Sequence, residues 1–226
     1  MFIRAKLAKG KEAMFISHLD YIRAVERAMR RAELPLVYSE GFSPRPRISY
    51  GPPLSVGMTS EAEFIDVEIY CEIYVDHFIH VLNKFFPPGL SVLDACAGLR
   101  KPASLTSIIN TEDYIVGIDA ANVDIDIEKE IANLAARENI RVLRRSPKGE
   151  KEIDIKPFLK EIKLIAKQNH FFTVFFRTAT GPKGNFRPKD LLAIWPAVNI
   201  FKQHRRSLWM EKGGSLHDPL VTWEEK

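Results

Sequence analysis

Polar and apolar positions alternate from the second residue: Phe2, Arg4 and Lys6 stand against Ile3, Ala5 and Leu7, which predicts a short strand. After the polar turn KGKEA the period lengthens. Leu19, Ile22, Val25, Met29 and Ala32 recur at helical spacing and predict a helix with these five residues toward the core. Ser17 stands as its N-cap, with Asp20 three residues on as a shortened capping box. Pro35 is expected to close the helix, because the residue before a proline is disfavoured in the α region. Extended segments follow at 36–38 and 47–50. The clearest strand is 62–69, where Phe64, Asp66 and Glu68 alternate with Ile65, Val67 and Ile69. Asp76 is expected to cap a helix over 77–86 that stops at Pro87-Pro88-Gly89, and 90–97 reads as another strand.

This order is β-α-β-β-α-β, the split-βαβ or ferredoxin-like pattern. Residues 98–106 read as a linker, after which the rhythm resumes. Strands are expected at 114–119, 139–145, 152–155, 159–166 and 171–178. Helices are expected at 125–138 and at 188–195, the second with a proline in its first turn. The fold class expected is α+β, with two ferredoxin-like halves and antiparallel sheets. The domains are placed at 1–98 and 107–200, followed by a charged, partly ordered tail at 201–226. No repeat is readable at the residue level.

Composition narrows the class. With 46% hydrophobic and 27% charged residues, the chain falls among soluble globular proteins. Its apolar runs, such as FFTVFF at 171–176, are too short to span a bilayer, and the N-terminus lacks the apolar core of a signal peptide. A cytoplasmic protein with no membrane partner is the expectation. The two cysteines, Cys71 and Cys96, form no CxxC or CxxxCxxC pattern, so the chain supplies no cysteine-ligated cluster or structural zinc site. His77 and His80 lie three residues apart but lack a third ligand, and no metal is expected.

The net charge of +4 matters less than its distribution. Residues 1–50 hold ten Lys/Arg against five Asp/Glu, residues 51–98 one against seven, and the remainder 22 against 17. A basic N-terminal segment beside an acidic one favours anionic partners.

The basic segment carries the densest chemistry. Arg23, Arg27, Arg30 and Arg31 fall at i, i+4, i+7 and i+8 on one helix face, with Glu26 and Glu33 partly neutralising them. The loop SEGFSPRPRISYGPPLSVG follows. Its glycines permit close backbone approach, its prolines stiffen the path, and Arg45 and Arg47 can meet phosphates while Tyr38, Phe42 and Tyr50 stack on bases. Charged helix faces are commonly just solvated, so the loop outweighs the helix stripe. His18 at the first helical turn is a candidate acid, base or phosphate donor, with Tyr21 beside it. In the second half, Lys183 and Arg187 surround Gly181 and Gly184 in a second candidate phosphate-facing loop. It lacks the Lys-Ser/Thr ending of a nucleotide-hydrolysing P-loop. Asp154, alternating with Ile153 and Ile155, reads as an exposed strand-edge carboxylate.

The segments 15–69, EIDIKPFL at 152–159 and GNFRPKDLL at 184–192 together resemble a family known as the radical-SAM-linked domain of unknown function. The likeness covers about the first 200 residues. That family's loop reads in an Asn-Pro-His-Pro-Arg style. Here it is Ser43-Pro44-Arg45-Pro46-Arg47, so a histidine role does not carry over at position 45, while the positive charge does. The resemblance implies a radical SAM protein as partner, one that carries S-adenosylmethionine, an iron–sulfur cluster and cobalamin. It implies no cofactor on this chain, and an accessory or substrate-binding role directed at RNA, either tRNA or rRNA.

Three functions stay open. The first is an RNA-directed accessory module using Arg23, Arg27, Tyr38, Phe42, Arg45, Arg47, Tyr50, Lys183 and Arg187, without catalysis of its own. The second is an RNA-acting enzyme on tandem ferredoxin-like domains, as pseudouridine synthases and CRISPR repeat-processing endoribonucleases are built, with His18 or Tyr21 as acid or base. The third is a protein–protein adaptor for the radical SAM partner.

Overall fold

A computed structural model of the chain describes residues 1–146, 149–181 and 184–221. The chain divides into two compact units. One comprises Met1–Asn110 with the segment that begins at Ser207, and the other comprises Thr111–Arg206.

The first unit opens with β1 (Phe2–Lys9) and α1 (His18–Arg31), followed by β2 (Ile48–Tyr50) and β3 (Thr59–Glu68). It continues through α2 (Val75–Phe85), β4 (Leu90–Gly98) and the single turn α3 (Leu105–Ile108). Strand β1 pairs antiparallel with β3 and with β4, and β2 pairs antiparallel with β3, giving the order β4-β1-β3-β2. Period-two alternation turns Ile3, Ala5, Leu7, Ile65 and Val67 to one face, where Val25 and Met29 of α1 and Phe78 and Leu82 of α2 complete a buried core. A smaller core forms around Phe64 with Ala62, Leu105, Ile109, Leu208 and Leu220.

Three details of this unit differ from the pattern-based expectation. Leu19 is 64% exposed, and Tyr21 takes its place in the core. Leu19 lies six residues before Val25, about 120° around a helix of 3.6 residues per turn, whereas Tyr21 lies four residues before it. The helix ends at Arg31 rather than at Pro35, with Glu33 in the left-handed region (φ 52°) and Leu34 N–H donating to Met29 O. Tyr74, not Asp76, stands at the N-cap position of α2, and its side chain makes no capping bond.

The face of β1 opposite Ile3, Ala5 and Leu7 is not simply solvated. Arg4 is buried opposite Asp66, with Nε and Nη2 donating to both carboxylate oxygens at 2.7 and 2.9 Å. Two of its remaining N–H groups donate to Pro219 O and Ala103 O. One guanidinium thus ties the sheet to a segment more than 200 residues away in sequence and to the stretch before α3.

The second unit contains β5 (Thr111–Asp119), α4 (Ile127–Ala136) and the antiparallel hairpin β6 (Arg141–Ser146) and β7 (Gly149–Asp154). It continues with β8 (Leu159–Gln168), β9 (Phe171–Ala179), α5 (Leu191–Ile194) and β10 (Asn199–Lys212). The sheet order is β10-β5-β9-β8, antiparallel where β9 meets β5 and β8. Tyr114, Val116, Phe172, Val174 and Phe176 face the core beneath α4, whose Ile127, Ile131 and Leu134 are buried. Residues 199–212, expected to lie largely in a loose charged tail, form the longest strand among the described residues, and β11 (Ser215–His217) pairs back onto it. Leu208, Met210 and Arg205 are buried along it, which anchors a segment whose composition reads as polar. No described helix is long and apolar enough to cross a membrane.

Candidate nucleic-acid interface

The loop at 39–57 is built on a short antiparallel contact. Arg47 N–H donates to Val37 O and Ser39 N–H to Arg45 O, while Arg45 N–H returns to Ser39 Oγ at 3.0 Å. Residues 36–38, expected as a strand, contribute only isolated bridges, Leu36 to Ile69 and Tyr38 to Pro46. The turn between Ser39 and Arg45 projects Phe42, which is fully exposed, with Tyr38 42% exposed at its base. Arg45 is exposed beside them. Gly41 at the tip has φ +110°, a conformation that a side chain would strain.

Alternation along β2 then separates residues that sit together in sequence. Tyr50 turns toward α1, where its ring lies 6.2 Å from Tyr21 and 6.3 Å from His18, and His18 stacks on Tyr21 at 6.3 Å. Tyr21 is buried and Tyr50 half-buried, and the Tyr50 hydroxyl is buried with no hydrogen-bond partner among the described residues. Burial, helped by the Glu26 carboxylate, pushes this phenol well above its ordinary value. Tyr50 therefore belongs to an aromatic cluster under the helix and presents no open stacking face.

Arg47 turns the other way. It meets Glu68 at 3.4 Å and, with Ser49, Lys101 and Ser104, lines a polar groove of about 440 Å³. On α1, Arg23 pairs with Asp20 at 3.1 Å and Arg30 with Glu26 at 3.7 Å, while Arg31 covers the Phe85 ring. Arg27 is exposed with no ion pair among the described residues. Asp20 accepts from Ser17 Oγ at 2.7 Å, and this bond, with Arg23 and Arg27 behind it, lowers its pKa. The helix start is thus a satisfied cap, as the spacing predicted.

The second-half motifs resolve differently. Lys183 lies outside the described residues. Arg187 Nε donates to Asn185 Oδ1, and its backbone N–H donates to Asp190 Oδ2 at 2.8 Å. Asp190 and Asn185 in turn grip Arg144, which reaches both Asp190 oxygens (3.3 and 2.6 Å) and both the side chain and carbonyl of Asn185. Gly184 has φ +136°, and a Cβ there would collide with the Phe158 ring. The sequence GNFRPKD is a cradle for Arg144, so Arg187 is spent on local structure. Asp154 is not a bare edge carboxylate either. It accepts from Ile140 N–H at 2.8 Å and Lys156 N–H at 3.0 Å, which lowers its pKa.

Sequence reasoning missed Arg4 and Arg144. The available signal was strand parity: Arg144 shares a face with buried Val142. Among the described residues, no cluster of three or more His, Cys, Asp or Glu side chains is placed to hold a metal ion.

A family model described as "Uncharacterized protein conserved in bacteria (DUF2344)" matches residues 3–188. The chain belongs to this family. The matched span takes in the whole 39–57 loop and the Arg144 cradle up to Pro188, and it stops before β10. No curated protein matches the chain. Among solved structures, the chain is similar to one titled "Crystal Structure of a Cbf5-Nop10-Gar1 Complex", at 10% identity and a TM-score of 0.50, over 99% of this chain and 56% of that one. Weaker likenesses are to "Crystal structure of the archaeal box H/ACA sRNP Nop10-Cbf5 complex" (10% identity, TM-score 0.47) and to "Structure of H/ACA RNP bound to a substrate RNA containing 2'-deoxyuridine" (8% identity, TM-score 0.48). Each of these two covers 90% of this chain and 46% of the other. The chain thus spans about half the length of the solved chains it matches, and at such identity the likeness concerns the fold alone.

Proposed function

We propose that this protein is a non-catalytic, RNA-directed accessory module that presents tRNA or rRNA to a radical SAM enzyme. In this reading the partner carries S-adenosylmethionine, an iron–sulfur cluster and cobalamin, as the family resemblance implies, and this chain binds none of them. The observation that carries the RNA reading is the Ser39–Arg45 turn, which holds a fully exposed Phe42 between Tyr38 and Arg45. An aromatic ring held in solvent three residues before an exposed arginine suits a base stack flanked by a phosphate. Arg27 is exposed on α1, and Arg47 and Lys101 line the polar groove on the other side of β2, where Arg47 also meets Glu68. Both units read as ferredoxin-like. The orders β4-β1-β3-β2 and β10-β5-β9-β8 each match the fourth-first-third-second arrangement of the split βαβ pattern.

Binding of labelled tRNA and rRNA fragments across a salt series tests this reading. Wild type should bind with a steep salt dependence, and Arg45→Ala with Arg47→Ala should flatten the log–log slope by about two, near one per lost phosphate contact. Equal affinity and slope for the two proteins would overturn it.

One observation favours a second reading, an RNA-acting enzyme: the His18–Tyr21–Tyr50 cluster, whose buried Tyr50 hydroxyl lacks a partner among the described residues. Cleavage or modification of tRNA by the purified protein without added metal, lost in His18→Ala, would select the enzyme over the accessory module.

A further inference from the structure

The second unit carries a sheet face that the loop reading leaves unused. Lys167 lies over the Phe172 ring and pairs with Glu128 of α4 at 3.4 Å, which puts the helix on the Phe172 side of β9. Strand alternation therefore turns Phe171, Thr173, Phe175 and Arg177 to the opposite face. Register sets Gln168 and Asp119 beside Phe171, and Ala166 and Gly117 beside Thr173. Two rings lie in the open on this face. Phe171 is 42% and Phe201 55% exposed, with centroids 5.7 Å apart and planes nearly perpendicular.

Gly117 explains how Phe201 comes to lie there. It is a glycine in the middle of a strand, where it costs stability relative to a residue with a side chain. A Cβ at this position would stand 2.6 Å from Phe201 Cζ and 3.1 Å from Lys202 Cβ. The missing side chain lets the ring settle against the sheet beside a cavity of about 350 Å³ whose lining includes Phe171, Phe201, Thr173 and Gln168. The Gln168 amide is exposed at the rim, able to donate to and accept from a base edge.

The charge around the rings selects the occupant. Lys163 covers the Phe175 ring at 4.8 Å and is matched by Glu161, and Arg177 is matched by Asp113. Lys202 and Arg206, four residues apart on β10, are exposed and form no ion pair among the described residues. Unmatched cations beside exposed rings complement a phosphate backbone with unstacked bases.

We infer that this face is a stacking platform for single-stranded RNA, with bases on Phe171 and Phe201 and phosphates toward Lys202 and Arg206. The inference rests on the RNA reading above and adds a second contact surface, in the other unit, selective for unpaired strands.

The test measures binding of a labelled 12-residue oligouridylate and of an RNA duplex of the same length to the full chain at several salt concentrations. Phe171→Ala with Phe201→Ala should weaken the single strand about tenfold or more, leaving its salt slope and the duplex affinity unchanged. Gly117→Ala should weaken it in the same way by displacing Phe201 while removing no ring. Phe171→Leu with Phe201→Leu keeps the apolar bulk, and a tenfold loss in that variant separates stacking from folding. Wild-type binding of the oligouridylate by either double variant, with Arg45→Ala plus Arg47→Ala still defective, overturns the platform and leaves the RNA reading standing. Absence of RNA binding by wild type overturns both.

Discussion

Arg144 is one of the tightly held charges of this protein, and it belongs to the second unit rather than to the 39–57 loop. Arg144 makes four bonds to Asp190 and Asn185, and Asp190 is buried. Removing one member of such a pair leaves the other desolvated and uncompensated. Arg144→Ala should therefore cost about 3–5 kcal/mol in urea denaturation, and Arg187→Ala, which loses one 3.3 Å side-chain bond, about 1 kcal/mol. A phosphate-binding loop would give the reverse: Arg187→Ala would impair RNA binding and Arg144→Ala would matter little to stability. In the first unit, burial pushes the Asp66 carboxyl up from 3.8, against the pull of Arg4. The folded state then holds this proton more tightly than the unfolded chain. The group's contribution is fully present below about pH 3.8 and is lost as pH rises through the folded value. Stability measured from pH 3 upward should fall through that window, relative to an Asp66→Asn variant that does not titrate. The exposed Phe42 and Arg45 were legible from loop composition alone. Arg4 was not: its parity was visible, but nothing local announces that residues 103 and 219 will cover it.

At the scale of elements, local chemistry set the boundaries that could be read and tertiary contact set those that could not. Ser17 was recognisable as the cap of α1 because its oxygen answers a donor three residues away, Asp20 N–H at 3.2 Å. Ser17→Ala should lower stability by about 1 kcal/mol. Leu19→Ser should change it by no more than about 0.5 kcal/mol, because Leu19 faces solvent. Val25→Ala empties a fully buried site and should cost about 2 kcal/mol. Thermal or urea unfolding of the three variants checks the helix phase. A large loss for Leu19→Ser would restore the apolar stripe read from sequence. That stripe misplaced Leu19 because an amphipathic pattern tolerates an apolar residue at the margin, and Tyr21, with its polar tip, competes poorly in a hydropathy count. The ladder of β2 shows the same limit for function. Loop composition grouped Arg47 with Tyr50, and alternation sends them to opposite faces.

For the whole molecule, the decisive segment is the one that reads as a tail. Charged residues and a Gly-Gly pair at 213–214 obscure the strand signal, while the residues that fix β10 are spaced along it and find their partners far away in sequence. In the second unit Arg205 is buried 3.8 Å from Glu112, which also accepts a hydrogen bond from the buried Tyr114 hydroxyl. In the first unit Leu208 and Leu220 close the small core around Phe64, Leu105 and Ile109, and Pro219 O accepts from Arg4. A chain ending at Val198 would strip β5 of a strand neighbour and leave Glu112 desolvated without its cation. It would equally strip β3 of a neighbour and open the Phe64 core to water. Each unit would thus lose both backbone pairing and a buried group's partner, losses of the same order as the roughly 5–15 kcal/mol that stabilises an ordinary domain. The truncated chain should show no cooperative urea transition by circular dichroism, and amides of β1 and β9 should exchange rapidly. A cooperative transition with the slope of the full chain would mean that residues 199–221 only decorate the two units.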